Sequence, residues 1–171
     1  MLNRPRRNRN SPFIRDLVAE TNLTPQDFVW PLFVIEGESR KEEISSLPGV
    51  YRRSIDQILE CLPEAIDLGI RAIALFPAVD ESKKDSMATE SCNPDALNQR
   101  CVRAIRESYP ELIVVTDVAM DPYSSDGHDG VVRDGKILND ESLEVLSQMA
   151  LTQAQAGAQM VACSDMMDGR V

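Results

Sequence analysis

An α/β fold with helices packed on a parallel sheet is what this sequence predicts, and three observations carry the prediction. Strand-like and helix-like segments alternate along the chain. The strand-like segments are near-continuous apolar runs, the composition of strands buried on both faces. Polar chemistry then collects where those runs end. Leu112 to Val118 delivers Asp117 to its C-terminal end, and Asp121, Asp126 and Asp129 follow within a few turn residues. Met160 to Cys163 ends the same way, in Ser164-Asp165-Met166-Met167-Asp168-Gly169-Arg170. Carboxylates released at the mouth of a buried strand are costly to desolvate and usually have a cation, a substrate or water as partner. The two strand ends therefore mark an active-site face. No GxGxxG or P-loop pattern follows any strand, which disfavours a nucleotide-binding doubly wound sheet.

The elements follow in order. Residues 1–10 form a basic, Asn- and Pro-containing arm. Ser11-Pro12-Phe13 starts a short helix to about Glu20, with proline at its first position. Phe28 to Ile35 is the first strand run; Pro31 is awkward inside a sheet, so the strand proper is expected from Leu32. Glu36 to Val50 reads as polar and turn-like. Ser54 caps a helix with the apolar stripe Ile55, Ile58, Leu59, Leu62, Ile66 and Leu68, ended by Gly69. Pro63 should kink that helix or reset its start. Ala72 to Pro77 is the second strand, and Asp80 to Ser91 a charged loop. Asn93-Pro94-Asp95 caps a helix to about Tyr109, and the third strand is Leu112 to Val118. Asp134-Gly135 between two β-branched runs predicts a small hairpin. Asn139-Asp140 opens a long helix, Glu141 to Ala156, ended by Gly157, before the fourth strand, Met160 to Cys163.

The 171 residues are 43% hydrophobic, enough for one domain with a proper core, and no apolar run has the length of a membrane span. The net charge of −10 is unevenly spread. Arg4, Arg6, Arg7, Arg9 and Arg15 precede the first acid, Asp16, so the arm carries +5 and the remainder −15. An acidic body argues against nucleic-acid binding by the globular part, while the basic arm could meet RNA, an anionic membrane or an acidic subunit. The arm is best matched to an acidic neighbouring subunit, with a solvated tail as the plainer reading. Cys61, Cys92, Cys101 and Cys163 are scattered, without a C-x-x-C or a histidine pair, which fits reduced thiols and excludes a thiolate zinc site. The start, Met1-Leu2-Asn3-Arg4, has no apolar signal region, so a cytoplasmic, membrane-free protein is expected.

At this point the chain resembles the porphobilinogen synthase (5-aminolevulinate dehydratase) family. The likeness runs from the Arg-rich arm through Trp30-Pro31-Leu32-Phe33-Val34, Leu47-Pro48-Gly49-Val50, Ala74-Leu75-Phe76-Pro77, Thr116-Asp117-Val118-Ala119, Asp121-Pro122-Tyr123 and Gly127-His128-Asp129-Gly130. It ends on the clearest signature, Ser164 to Arg170. The resemblance implies a (β/α)₈ TIM barrel, here about its first four βα units. Residues 1–25 would be an arm that embraces a neighbouring subunit, typically in a homo-octamer, and residues 26–171 the N-terminal half of the barrel. It also implies a lyase activity: condensation of two molecules of 5-aminolevulinate to porphobilinogen through two lysine Schiff bases.

Those lysines lie downstream of the Met-Asp-Gly-Arg block in the family, whereas Lys41, Lys83, Lys84 and Lys136 sit in loop or hairpin settings here. The chain is therefore expected to be inactive alone and, as four strands of a barrel with raw edges, marginally stable. Asp117 and Ser164 match the family's supporting pocket residues; a strand-end salt bridge and a turn hydroxyl are their plainer readings. The three cysteines of the zinc-dependent branch correspond to Ala119, Asp121 and Asp129. That replacement implies Mg²⁺, held by Asp121 and Asp129, unless these acids simply form a solvated lid. His128 has no partner at ligand spacing and reads as a turn residue. A non-catalytic half-barrel that joins full-length subunits is the alternative function. A calcium loop over Asp121 to Asp129 fails the required order of acids.

Overall fold

The computed structural model describes residues 2, 3 and 5–171; Met1 and Arg4, one of the arm's five arginines, lie outside the described residues. The arm contains a 3₁₀ turn, Arg7–Arg9, and a short helix α1, Pro12–Leu17. Ser11 caps α1 as predicted, its hydroxyl accepting from the Ile14 amide at 3.3 Å. The helix stops before Glu20 because no α1 residue is buried and tertiary packing adds nothing to its propensity.

Six strands form the main sheet in the order β2-β3-β1-β4-β5-β8: β1 is Val29–Val34, β2 Lys41–Glu43, β3 Tyr51–Arg53, β4 Ala72–Pro77, β5 Ile113–Val118 and β8 Met160–Cys163. From β3 to β8 all neighbours are parallel, and β2 alone runs antiparallel, to β3. β6, Val131–Arg133, and β7, Lys136–Leu138, make the predicted hairpin, with Asp134 and Gly135 both at positive φ (51° and 70°) as a two-residue turn requires. Helices α2, Ile55–Asp67, α3, Leu97–Ser108, and α4, Asn139–Ala156, connect the parallel strands. The sheet is open, with β2 and β8 as its edges.

Several expectations are corrected. β1 begins at Val29 and pairs through Pro31, opposite Ala74. β3 reaches β1 only at Phe33 and Val34, so at Pro31 the strand is unpaired on one side, where a proline is tolerated. β2 lies inside the Glu36–Val50 stretch that reads as turn-like, and β3 follows directly after it; Lys41, Glu42 and Glu43 are all exposed and carry no alternating apolar pattern to announce the pair. Ser54 stands at the start of α2, but its hydroxyl accepts from the Arg40 amide at 2.9 Å rather than capping the helix. α2 runs through Pro63 without restarting. Pro63 has no N–H for the Leu59 carbonyl four residues back, and the Tyr109 hydroxyl donates to that oxygen instead, at 3.0 Å. α3 starts at Leu97, because Asn93 spends its side chain on a tight turn with the Asp95 amide.

Alternation in the strands defines two faces. Leu32, Val34, Ile73, Leu75 and Val114 are fully buried against Ile58 and Leu62 of α2 and Val102 and Ile105 of α3. Each of these larger side chains contributes about 1.5–3 kcal/mol through burial. On the opposite face lie Val29, Pro31, Phe33, Ala72, Ala74, Phe76, Ile113, Val115, Met160 and Ala162, all half-buried or exposed. A second core cluster, including Val118, Met120, Tyr123, Val131, Leu146 and Met149, supports the loop between β5 and β6. Among the described residues no helix is long and apolar enough to cross a membrane.

Candidate active site

The C-terminal ends of β5 and β8 are adjacent, with Asp117 paired to Ala162 and Val118 to Cys163. Ser164, the next residue after β8, is thereby placed beside Asp117, and its hydroxyl donates to Asp117 Oδ1 at 2.5 Å. Burial pushes the half-buried Asp117 carboxyl up, against the Ser164 hydrogen bond, and the negative charges of Asp129 and Asp165 push the same way as burial. Behind the strand, the fully buried Gln153 of α4 donates to the Asp117 carbonyl at 2.7 Å.

The loop after β5 folds back so that the Asp121 amide points at Asp129 Oδ1, 3.4 Å away. Partial burial, followed by the charge and hydrogen bonding of Asp129 and the charge of Asp117, pushes the Asp121 carboxyl up to about 6. Asp117, Asp121, Asp129 and Ser164 thus form one cluster in which acids face acids. Such a cluster can hold or pass a proton, or attract a cation.

Other sequence candidates lie apart from this chemistry. Asp126 is exposed and its amide donates to the Ser124 hydroxyl. Asp168 is exposed, its backbone held by the Asn139 carboxamide. His128 Nδ1 accepts from the Gly130 amide at 3.3 Å, the turn role expected of it. Asp165, buried, accepts from the Met167 amide at 2.8 Å and lies 3.7 Å from the Arg170 guanidinium, which makes it an anchor of the last loop. Sequence reasoning missed Gln153; a glutamine in a long helix carries no signal until its face is known to be buried.

Among the described residues none of the four lysines makes a hydrogen bond or ion pair with Asp117, Asp121, Asp129 or Ser164. Lys83 lies between Glu36 (3.2 Å) and Glu90 (3.3 Å), and the Glu36 hydrogen bond holds its ammonium above the usual lysine range against the effect of burial. Lys84 pairs with Glu81, and Lys41 stands 4.5 Å over the Tyr51 ring. No group of three His, Cys, Asp or Glu side chains converges to hold a metal among the described residues. The four cysteines are free thiols.

Comparison with known proteins agrees with this architecture. The family profile described as delta-aminolevulinic acid dehydratase matches residues 2–171. The delta-aminolevulinic acid dehydratase of Bradyrhizobium diazoefficiens is 51% identical over 168 residues, covering 98% of this chain and 48% of that protein. The Chlamydia pneumoniae protein of the same name is 45% identical, over 98% of this chain and 51% of its own length. A chloroplastic form from Physcomitrium patens is 48% identical, over 98% of this chain and 39% of its own. The chain thus spans about half the length of the curated relatives it matches. The crystal structure of the Toxoplasma gondii ME49 enzyme (porphobilinogen synthase) in complex with its reaction product porphobilinogen superposes with a TM-score of 0.96 at 47% identity, over 99% of this chain and 49% of that one. This chain belongs to the delta-aminolevulinic acid dehydratase family.

Proposed function

We propose that the chain supplies the scaffold side of a pocket in which two molecules of 5-aminolevulinate are condensed to porphobilinogen, a step of tetrapyrrole synthesis. One observation carries the reading: the Ser164–Asp117 hydrogen bond at two adjacent parallel-strand ends, beside the acids Asp121 and Asp129, which no cation compensates among the described residues. Barrel enzymes keep their chemistry at this end of their strands. Asp117, with its carboxyl pushed up, is suited to hold or move a proton at a substrate amine, and Ser164 orients it. The reactive lysines are not among these 171 residues. A Schiff-base lysine must shed its proton, and Lys83 is held charged by Glu36.

Asp121 and Asp129 are the residues that would hold a divalent cation. Two carboxylates suit Mg²⁺, which binds through one or two carboxylates and keeps several waters, and do not suit zinc, which favours thiolate and imidazole. When bound, the cation would supply positive charge beside Asp117. Residues 1–25 serve in this reading as the arm that joins a neighbouring subunit, and residues 26–171 as the first half of the barrel. The free cysteines support a cytoplasmic site, while the chloroplastic names of some relatives support a plastid.

The test is a complementation assay. The chain is assayed for porphobilinogen formation alone, and after co-expression with the remaining half of the Bradyrhizobium relative. Activity is expected only in the pair, and loss of that activity in Asp117→Asn and Ser164→Ala is expected with it. Turnover by the chain alone would place the reactive amines here and defeat the assignment. The exposed β8 residues Met160, Val161 and Ala162 favour a second reading, a non-catalytic module that joins full-length subunits. Native mass spectrometry of the chain mixed with a full-length relative decides it: no mixed assembly removes that reading.

A further inference from the structure

A small cavity with mainly apolar walls lies between the C-terminal ends of β1 and β4 and the first turn of α3, lined among others by Val79, Leu97, Asn98, Tyr123, Glu36 and Lys83. Its interior leaves about 10 Å³ for the centre of a water-sized occupant, the room of one water molecule. Asn98 is 1% exposed and Tyr123 2% exposed. Among the described residues, both polar atoms of the Asn98 carboxamide and the Tyr123 hydroxyl have no hydrogen-bond partner. Buried polar atoms left unpaired are rare in folded proteins, and the two residues that carry these three both line one cavity, which suits something small that both donates and accepts.

The surroundings fit a neutral occupant. Lys83 bridges Glu36 and Glu90, and Arg100 pairs with Glu36 at 2.6 Å, so the charges at the rim already satisfy one another. A water needs two to four polar partners, and the cavity offers three.

We propose that this cavity is a built site for one ordered water molecule, which bridges the Tyr123 hydroxyl and the Asn98 carboxamide and so ties the loop carrying Asp121 and Asp129 to α3. Tyr123 is well placed to transmit that constraint. Its ring is packed in the second core cluster, and its carbonyl accepts from the Asp85 amide at 3.3 Å. Asp85 in turn accepts from the Ser125 amide at 3.0 Å. The site stands on this geometry alone, whatever reaction the strand ends perform.

A high-resolution crystal structure of the chain is expected to show a fully occupied water peak within hydrogen-bond distance of Tyr123 Oη and of Asn98. No peak, a direct Tyr123–Asn98 hydrogen bond, or the crowded oxygen shell of a metal ion would overturn the proposal. Tyr123→Phe and Asn98→Leu, singly and together, give a second readout by thermal melting. A shared water makes the losses non-additive, the double variant melting no lower than the worse single one; additive losses contradict the bridge. Should Asn98→Leu fail to fold, the Tyr123→Phe crystal structure decides by itself. The peak is then expected to be lost or displaced, and an unchanged peak removes the bridge.

Discussion

Two strand ends of this sheet carry acids, and they treat them in opposite ways. After β1, Glu36 meets cations: Arg100 at 2.6 Å and Lys83 at 3.2 Å. Burial works to raise its carboxyl, but those two partners outweigh burial and hold it below the ordinary range. At the end of β5 and just beyond it, Asp117 and Asp121 meet, among the described residues, a hydroxyl and other acids, and both are pushed up. The same residue class at equivalent places in the fold is compensated at one and left uncompensated at the other. Compensation is what stability alone would select. Its absence around Asp117 and Asp121, among the described residues, is what the proposed site for a ligand, cation or proton rests on.

The comparison can be broken most forcefully at Asp117. In the complemented assembly, Asp117→Asn should lower kcat for porphobilinogen formation by about 10²-fold or more, the scale of losing a proton-transfer group, with no loss of thermal stability. A variant that melts lower and retains kcat would make Asp117 a structural acid like Glu36. Glu36→Gln should do the reverse. It removes the shared partner of Lys83 and Arg100, and a network of partly exposed pairs is worth about 1 kcal/mol, so the melting temperature of the chain should fall by about 2–4 °C with kcat unchanged.

Asp121→Asn sharpens the contrast by sign. An acid whose folded pKa is about 6 costs stability above that pH and costs nothing below the unfolded value. In chelator at pH 7.5 the substitution should therefore raise the melting temperature, by about 1 °C or more once solvent screening of this exposed residue is allowed for. At pH 4 the gain should vanish. If Mg²⁺ sits on Asp121 and Asp129, adding it should stabilise the parent and not the variant.

The smallest effect is the opposite pH slope at Glu36. With its folded pKa lowered, its stabilising effect is complete above the unfolded carboxylate value and lost as pH falls through the folded one. Acidification below about pH 4.5 should hence narrow the gap between the parent and Glu36→Gln in a melting series. A gap that widens on acidification would mean the ion pairs are not formed.

How much was legible depended on the range of the interaction involved. The β6–β7 hairpin was readable because Asp134-Gly135 chemistry is local, and Ser11 capped α1 for the same reason. Asp117 and Ser164 were readable as strand-end polar residues following apolar runs. The β2–β3 pair was not, since an exposed Lys-Glu-Glu strand exists only by pairing with Tyr51–Arg53. Nor was the continuity of α2 through Pro63, which depends on a hydroxyl 50 residues from the oxygen it serves.

By itself, then, the amino-acid order determined the alternation of strands and helices, the burial of the strands and the presence of acids at two of their ends, because periodicity, turn residues and apolar runs act between near neighbours. Only the tertiary structure decided which acids meet cations and which meet each other. Glu36 finds Arg100, Ser164 finds Asp117 and Gln153 finds the Asp117 carbonyl across gaps of 64, 47 and 36 residues. Electrostatic compensation depends on separation in space, which the chain acquires only when the sheet and helices pack.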